Sequence, residues 1–282
     1  MTVREVAARL RAAGVPEPLG EARRLFEAFA HIPIAEQIGR DPSSDAPALI
    51  DAVGRREARE PLAYLLGEWG FYRESYLLSE DCLIPREDTE LLVDTAISLL
   101  SPGAHFADLC TGCGCVGLSV LAHTKDTSAL LLDLSEGAVA MAKKNAARLG
   151  LASRAECTVG DVTAGDGEGR YDAILSNPPY IRNSVYPTLA EEVKKEPPRA
   201  FLGGEDGMDF YRVILKNYSR CLTENGFFAF EIGYDEEESV GALAAEYGFS
   251  ALVRRDLSGN PRVALLRKES RRGAPTFSKQ TV

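Results

Sequence analysis

The alternation of strand-like and helix-like runs from residue 88 to residue 268 limits the fold of this chain more than any other feature. After "TELLVDTAISLL", a helix that Asp88 is placed to cap, come the strand "HFADL", a glycine-rich turn and the helix "VGLSVLAHT". The strand "ALLLD" follows, then the helix "EGAVAMAKKNAARLG" closed by Gly150, a strand around "RAECTVGD", and the strand "DAILS", which runs directly into "NPPY". Past a long irregular stretch lie the helix "GMDFYRVILKNYSRCL", the strand "GFFAFEIG", the helix "EEESVGALAAEYG" and the strands "ALVRRDL" and "RVALLRK". Such a pattern predicts an α/β domain: a mainly parallel sheet with helices on both faces, whose ligands gather at the carboxyl ends of the strands. The last two strands are close in sequence, so an antiparallel pair is expected there.

Residues 1–66 read differently, as short helices without strands. Thr2 and Glu5 stand at capping-box spacing, Val3, Val6 and Leu10 recur at helical intervals, and "LGEARRLFEAFAHI" and "APALIDAVGRREARE" supply further helices before Pro61. Residues 67–87 are rich in aromatic and aliphatic side chains around a polar break at Arg73, Glu74 and Ser75, which predicts a hairpin-like linker. The polar tail 269–282 is expected to be disordered. With 282 residues, 45% of them hydrophobic, the chain can fill two unequal cores. A net charge of −10 disfavours nucleic acid as a partner. No run offers the roughly 20 apolar residues that span a bilayer, so a cytoplasmic protein with no membrane partner is expected. The six cysteines form no disulfide framework, which suits a reducing compartment.

Three of those cysteines fall in "DLCTGCGC", residues 108–115. The spacing C-x-x-C-x-C lacks a nearby fourth ligand, and His31, His105 and His123 show no paired metal spacing, so no metal is expected. The glycines carry more meaning. Gly112, Gly114 and Gly117 make G-x-G-x-x-G between a strand and a helix, where missing side chains admit a ligand to the backbone and to the helix N-terminus. Asp133 ends the next strand, about 20 residues on, where a carboxylate accepts hydrogen bonds from a ribose diol. An adenosine-bearing cofactor fits this arrangement, and the turn alone leaves nicotinamide dinucleotide and S-adenosyl-L-methionine equally open.

"NPPY", residues 177–180, separates them. Asn-Pro-Pro is also ordinary loop chemistry that stops a strand. Its place on the cofactor rim gives it a sharper use, because an amide nitrogen is a poor nucleophile that has to be held in a fixed geometry. The Asn177 side-chain oxygen and the Pro178 carbonyl can each accept one N–H of a planar NH2 group. Pro178 and Pro179 hold the backbone extended, which preorganises both acceptors, and Tyr180 offers an aromatic wall. The nitrogen lone pair is then aimed at a methyl group on a positively charged sulfur. No strong general base stands near "NPPY" in the sequence, and none is needed, since the nitrogen becomes acidic as it is alkylated.

Three further segments accompany "NPPY": "PLAYLLGEWGFY" at 61–72, "LIPREDTELLVD" at 83–94 and "EPPRAFLGGEDGMDFYRVI" at 196–214. With them the chain resembles the protein-(glutamine-N5) methyltransferases that modify peptide chain release factors, over residues 1 to 268. The resemblance implies a class I S-adenosylmethionine-dependent fold, Rossmann-like with a mainly parallel seven-stranded sheet at 88–268, and a substrate-recognition role for the helical domain at 1–66. It implies that Asp108 and the turn Cys110, Thr111, Gly112, Cys113 and Gly114 underlie the methionine part of S-adenosyl-L-methionine, that Asp133 holds the ribose, and that Asp161 and Val162 flank the adenine. Asn177, which also borders the cofactor, would hold the substrate glutamine amide with Pro178, Pro179 and Tyr180; Asn177, Pro178 and Tyr180 form the catalytic set. The product would be S-adenosyl-L-homocysteine and the partner a release factor, with its Gly-Gly-Gln loop as target. Two alternatives stay open: a ribosomal-protein glutamine, and amino-methylation of a nucleic-acid base. The family usually carries glycine where this chain has Cys110 and a small or hydroxyl residue at Cys113, and some relatives have an aromatic residue in place of Val162. In "IPREDTE", Asp88, Thr89 and Glu90 either simply begin a helix with favourable charge at its N-terminus or, as the resemblance implies, lie over the cofactor pocket, where Arg86 reaches the cofactor carboxylate or braces the substrate loop by a bidentate pair; Arg86 stays outside the catalytic set. Residues 196–207 read as a flexible loop or, with the helical domain, as the grip on the release factor.

Overall fold

The computed structural model describes residues 1–165 and 167–269, so the tail expected to be disordered lies outside the described residues from 270 on. The chain forms two compact units: Met1–Trp69 together with Leu189–Glu196, and Gly70–Thr188 together with the chain from Pro197. No helix among the described residues is long and apolar enough to cross a membrane.

The first unit holds α1 (Val3–Ala12), α2 (Pro18–Ala30), α3 (Ile34–Gln37), α4 (Pro47–Glu57) and α5 (Leu62–Leu66). The capping box at the start of α1 is complete: Thr2 Oγ1 accepts from the Glu5 N–H at 3.2 Å, and the Glu5 carboxylate accepts from the Thr2 N–H at 2.7 Å. Val6, Leu10, Leu25, Phe26, Leu49 and Val53 are all fully buried and form its core. Arg56, 3% exposed, pairs with Glu21 at 2.5 Å and with Glu192 at 2.7 Å, and Arg59 takes the other Glu192 oxygen at 2.6 Å. These pairs fasten residues 189–196 to the helices, a grouping across more than a hundred residues of sequence that no local pattern announces.

A two-stranded hairpin, β1 (Glu68–Phe71) and β2 (Glu74–Leu77), occupies the expected linker. Then come α6 (Glu90–Leu99), β3 (His105–Leu109), α7 (Cys115–His123), β4 (Ser128–Asp133), α8 (Glu136–Arg148), β5 (Ala155–Val159), β6 (Tyr171–Ser176), α9 (Asp209–Tyr218), β7 (Leu222–Glu231), α10 (Glu237–Glu246), β8 (Phe249–Arg255) and β9 (Pro261–Lys268). The sheet runs β5-β4-β3-β6-β7-β9-β8. Its first five strands are parallel, while β9 lies antiparallel to both neighbours, as the short β8–β9 connection predicts. Strand order reverses between β3 and β6, the point where ligands bind in open α/β sheets. The register there pairs Leu109 with Ser176, so Cys110 and Asn177 leave adjacent strand ends side by side.

One local expectation fails. Asp88 does not cap α6: it lies in a 3-10 turn, Glu87–Thr89, Thr89 takes the cap position without a side-chain bond to the backbone, and the Asp88 carboxylate pairs instead with Arg262 at 3.1 Å. The tight turn points the carboxylate at a guanidinium on β9, and a charge-assisted contact replaces the cap.

Candidate active site

The loops after β3, β4, β5 and β6 enclose a cavity of about 320 Å³ lined by Cys110, Gly112, Asp133, Asp161, Val162, Asn177 and Pro179, together with Pro197 and Phe210 from later in the chain. A smaller one of about 40 Å³ is lined by Asp108, Thr111 and Cys113, with Arg86 and Thr89. Cys110, Gly112 and Asn177 border both.

The turn under the larger cavity is left-handed at three positions: φ is +60° at Cys110, +58° at Gly112 and +86° at Gly114. Cys110 therefore bears a side chain where glycine is easier, and φ of this kind costs an L-residue roughly 1–2 kcal/mol. Cys110→Gly is expected to raise the unfolding free energy by about 1 kcal/mol, part of the relief being offset by lost side-chain packing and a more flexible unfolded chain. Equilibrium denaturation with urea checks this; a destabilised variant would show that the thiol's packing outweighs the strain.

The glycines do separate jobs. A Cβ on Gly112 would meet nothing within 4 Å, so the turn presents open space on the cavity side. On Gly114 it would lie 3.0 Å from Leu118 and 3.2 Å from Ala142, and on Gly117 it would lie 3.0 Å from Asp108, so both let α7 pack closely. Asp108 is a brace. Its Oδ2 accepts from the Thr111 hydroxyl at 2.5 Å and from the Gly117 N–H at 2.9 Å. Burial pushes its carboxyl up to about 7 against the pull of those two bonds.

Asp133 ties the second loop to the first: Oδ2 accepts from the Gly112 N–H at 2.8 Å and Oδ1 from the Ser135 N–H at 2.9 Å. Each oxygen keeps a lone pair for a hydroxyl pair on a ligand. Asp161 Oδ1 accepts from the Thr163 N–H at 2.8 Å, and the Val162 carbonyl accepts from Asn217 Nδ2 at 3.0 Å, which fixes the Val162 side chain on the cavity wall. Open backbone at Gly112, an anchored carboxylate at Asp133 and an apolar wall at Val162 suit the three parts of an aminoacyl-adenosine cofactor. The six cysteines are free thiols, and no group of three or more metal-ligating side chains occurs among the described residues.

In "NPPY", Asn177 Nδ2 donates to Thr89 Oγ1 at 3.2 Å, which leaves its Oδ1 to accept from a ligand. Pro179 lines the larger cavity, whereas Pro178 is buried and lines neither of the two. Tyr180 lines neither: it packs against the core, and its hydroxyl donates to Glu231 Oε1 at 3.1 Å. Residues 201–204 are no free loop either. Ile181 N–H donates to the Phe201 carbonyl at 2.7 Å, Gly203 N–H to the Ile181 carbonyl at 2.9 Å and Asn183 N–H to the Gly204 carbonyl at 2.9 Å, so this segment lies along the back of "NPPY".

Sequence reasoning missed Thr89 as a partner of Asn177, Asp81 on the cavity wall, and Glu231 beneath Tyr180. Only Glu231 left a signal, as a lone acid in the apolar run "GFFAFEIG" at the carboxyl end of a strand. It is 2% exposed, and burial pushes its carboxyl up to about 7.

Comparison with known proteins agrees with this geometry. Residues 87–201 match the family model described as "Methyltransferase small domain", and residues 2–67 match the one described as "PrmC N-terminal domain". The release factor glutamine methyltransferase of Agrobacterium fabrum is 39% identical over 92% of this chain and 94% of its own length. That of Caulobacter vibrioides is 37% identical over 91% and 92%, and that of Rhodospirillum rubrum 38% identical over 93% and 82%. Identity of this order over more than nine-tenths of the chain places it in the family of release factor glutamine methyltransferases.

Proposed function

We propose that this enzyme methylates the glutamine of the Gly-Gly-Gln loop of peptide chain release factors on its side-chain nitrogen, with S-adenosyl-L-methionine as donor, and so modulates translation termination in the cytoplasm. The observation that carries the reading is the state of Asn177: its NH2 is occupied by Thr89, so the group it offers the cavity is an acceptor. A substrate that brings a planar NH2 is what such an acceptor selects.

When bound, S-adenosyl-L-methionine supplies an electrophilic methyl group on a sulfonium sulfur and leaves as S-adenosyl-L-homocysteine. The turn from Cys110 to Gly114 would hold its methionine part, Asp133 its ribose, and Asp161 and Val162 its adenine. Asn177 Oδ1 and the Pro178 carbonyl accept the two N–H groups of the glutamine amide and orient its nitrogen toward the cavity. Both acceptors stabilise the positive charge that grows on that nitrogen, and its surplus proton leaves to solvent. Orientation and preorganised acceptors supply most of the catalysis. Tyr180 supports the loop from the core side. The helical unit, with residues 189–196, is proposed to grip the release factor, and no metal enters the chemistry.

Purified release factors, wild type or with the loop glutamine replaced, are incubated with methyl-labelled S-adenosyl-L-methionine. Label is expected on the wild-type factor alone. Label that persists after replacement sinks the proposed target, and label on a ribosomal protein with none on release factor favours the other glutamine substrate.

A further inference from the structure

Between the hairpin and α6 the chain passes along both cavities in order. Asp81 and Leu83 line the larger one, and Leu83, Pro85, Arg86 and Thr89 line the smaller. Asp81 and Asp133, both on the wall of the larger cavity, share one support, the first turn of α8. Asp133 Oδ1 accepts from the N–H of Ser135, the residue that caps α8. Two residues on, a Cβ on Gly137 would strike the Asp81 carboxylate and lie 2.8 Å from Asp81 Cβ. Glycine at 137 is thus what admits Asp81 to this place, inside a helix where alanine is otherwise the better residue. The N-terminal end of α8 favours the negative charge that sits against it. Asp81 is exposed, and the one hydrogen bond of its carboxylate among the described residues is a long one, from the Ser79 hydroxyl to Oδ2 at 3.4 Å. Most of its acceptor capacity is therefore open to a ligand in the cavity.

We infer that Asp81 is a second cofactor-binding carboxylate at the ribose, accepting from one hydroxyl of the diol while Asp133 holds the other. The inference deepens the proposed function and rests on its cofactor. Two observations favour the ribose over the other parts of that molecule. Asp81 does not line the smaller cavity, which the turn under the methionine part borders. Its neighbour is the first turn of α8, where Asp133 is anchored. A diol carries two O–H donors, and each Asp133 oxygen already accepts one backbone N–H, from Gly112 and from Ser135. A second carboxylate gives the outer hydroxyl an acceptor with no competing backbone donor. Water reaches the exposed Asp81 and competes for the same bond, so its contribution is that of a single hydrogen bond and not of a buried charge pair.

The test is calorimetric and needs no turnover: the Kd of S-adenosyl-L-homocysteine and of its 2′-deoxy and 3′-deoxy analogues is measured with no release factor present. Asp81→Ala should raise the Kd of the parent compound about 3- to 10-fold, the scale of one partly solvated hydrogen bond. For one of the two analogues, removal of the hydroxyl should cost the unsubstituted enzyme about 3- to 10-fold more than it costs Asp81→Ala, because that variant has already lost the contact. A purely structural role for Asp81 would leave the analogue losses equal in both enzymes. Gly137→Ala is the second variant. Its methyl group forces the Asp81 side chain away from α8, so Kd should rise as in Asp81→Ala although alanine suits the helix, and the double variant should bind no more weakly than either single. Equal analogue losses in the two enzymes, or a Kd for Asp81→Ala within about twofold of the unsubstituted value, overturn the inference. Failure of the unsubstituted enzyme to bind S-adenosyl-L-homocysteine overturns the proposed cofactor and this inference with it. Absence of methyl transfer to release factor sinks the proposed target alone and leaves the binding result standing.

Discussion

Asn177→Ala should bind S-adenosyl-L-methionine within about twofold of the unsubstituted enzyme and lose about 10²- to 10³-fold in kcat, the scale seen when one preorganised hydrogen-bonding group facing a developing charge is removed. The two halves of this expectation come from different parts of the site. The contacts proposed for the cofactor are spread over the turn at Gly112, the carboxylate of Asp133 and the wall at Val162, whose own hydrogen bonds do not run through the Asn177 side chain. The amide of a glutamine, by contrast, has few acceptors to choose from, and the truncated side chain leaves it free to rotate about its own Cγ–Cδ bond. Rotational freedom in a nucleophile is expensive, since orientation supplies much of the rate in a transfer that uses no strong base. Calorimetry for the cofactor and single-turnover kinetics for the methyl group separate the two effects. Near-normal turnover would remove Asn177 from the catalytic set.

The sheet was legible because its strands are short apolar runs bounded by glycine, aspartate and asparagine, and their alternation with helical periodicity leaves few topologies. Local chemistry also exposed the turn at 110–114 and "NPPY", each set by residues adjacent in sequence. What escaped was anything decided by distant neighbours. Thr89 is 88 residues from Asn177, and nothing at 83–94 announces that its hydroxyl will meet that amide. Asp88 looked like a cap until Arg262, far along the chain, supplied a stronger partner. Tyr180 was expected as a wall for the substrate, yet a buried carboxylate at Glu231 holds its hydroxyl on the core side. The left-handed backbone at Cys110 is invisible in composition, and it showed only through the glycine that the resembled family usually carries there.

"GGEDG" was the least legible stretch, since its glycines read as slack, and the structure gives them the opposite role. Gly203 is buried with its Cα face against "NPPY": a Cβ there would lie 2.7 Å from the Pro179 carbonyl oxygen and 2.7 Å from Tyr180 Cα, distances that real Cβ atoms essentially never show. Both neighbours are backbone, so neither can rotate away, and the methyl group of Gly203→Ala has to push the catalytic loop. We expect a loss of about 1–3 kcal/mol in stability from overpacking. A shift of about 1 Å in Asn177 and the Pro178 carbonyl would cost about 100-fold in kcat, with cofactor affinity affected far less. Gly241→Ala is the matched control: it sits inside α10, a Cβ there meets nothing within 4 Å, and alanine in a helix should add about 0.5–1 kcal/mol of stability and leave turnover alone. If Gly203→Ala keeps full kcat, the segment at 201–204 is only a neighbour of the catalytic loop. If it loses turnover while the folded enzyme still binds cofactor, the glycine is what lets two backbones close on each other and hold the amide acceptors in place.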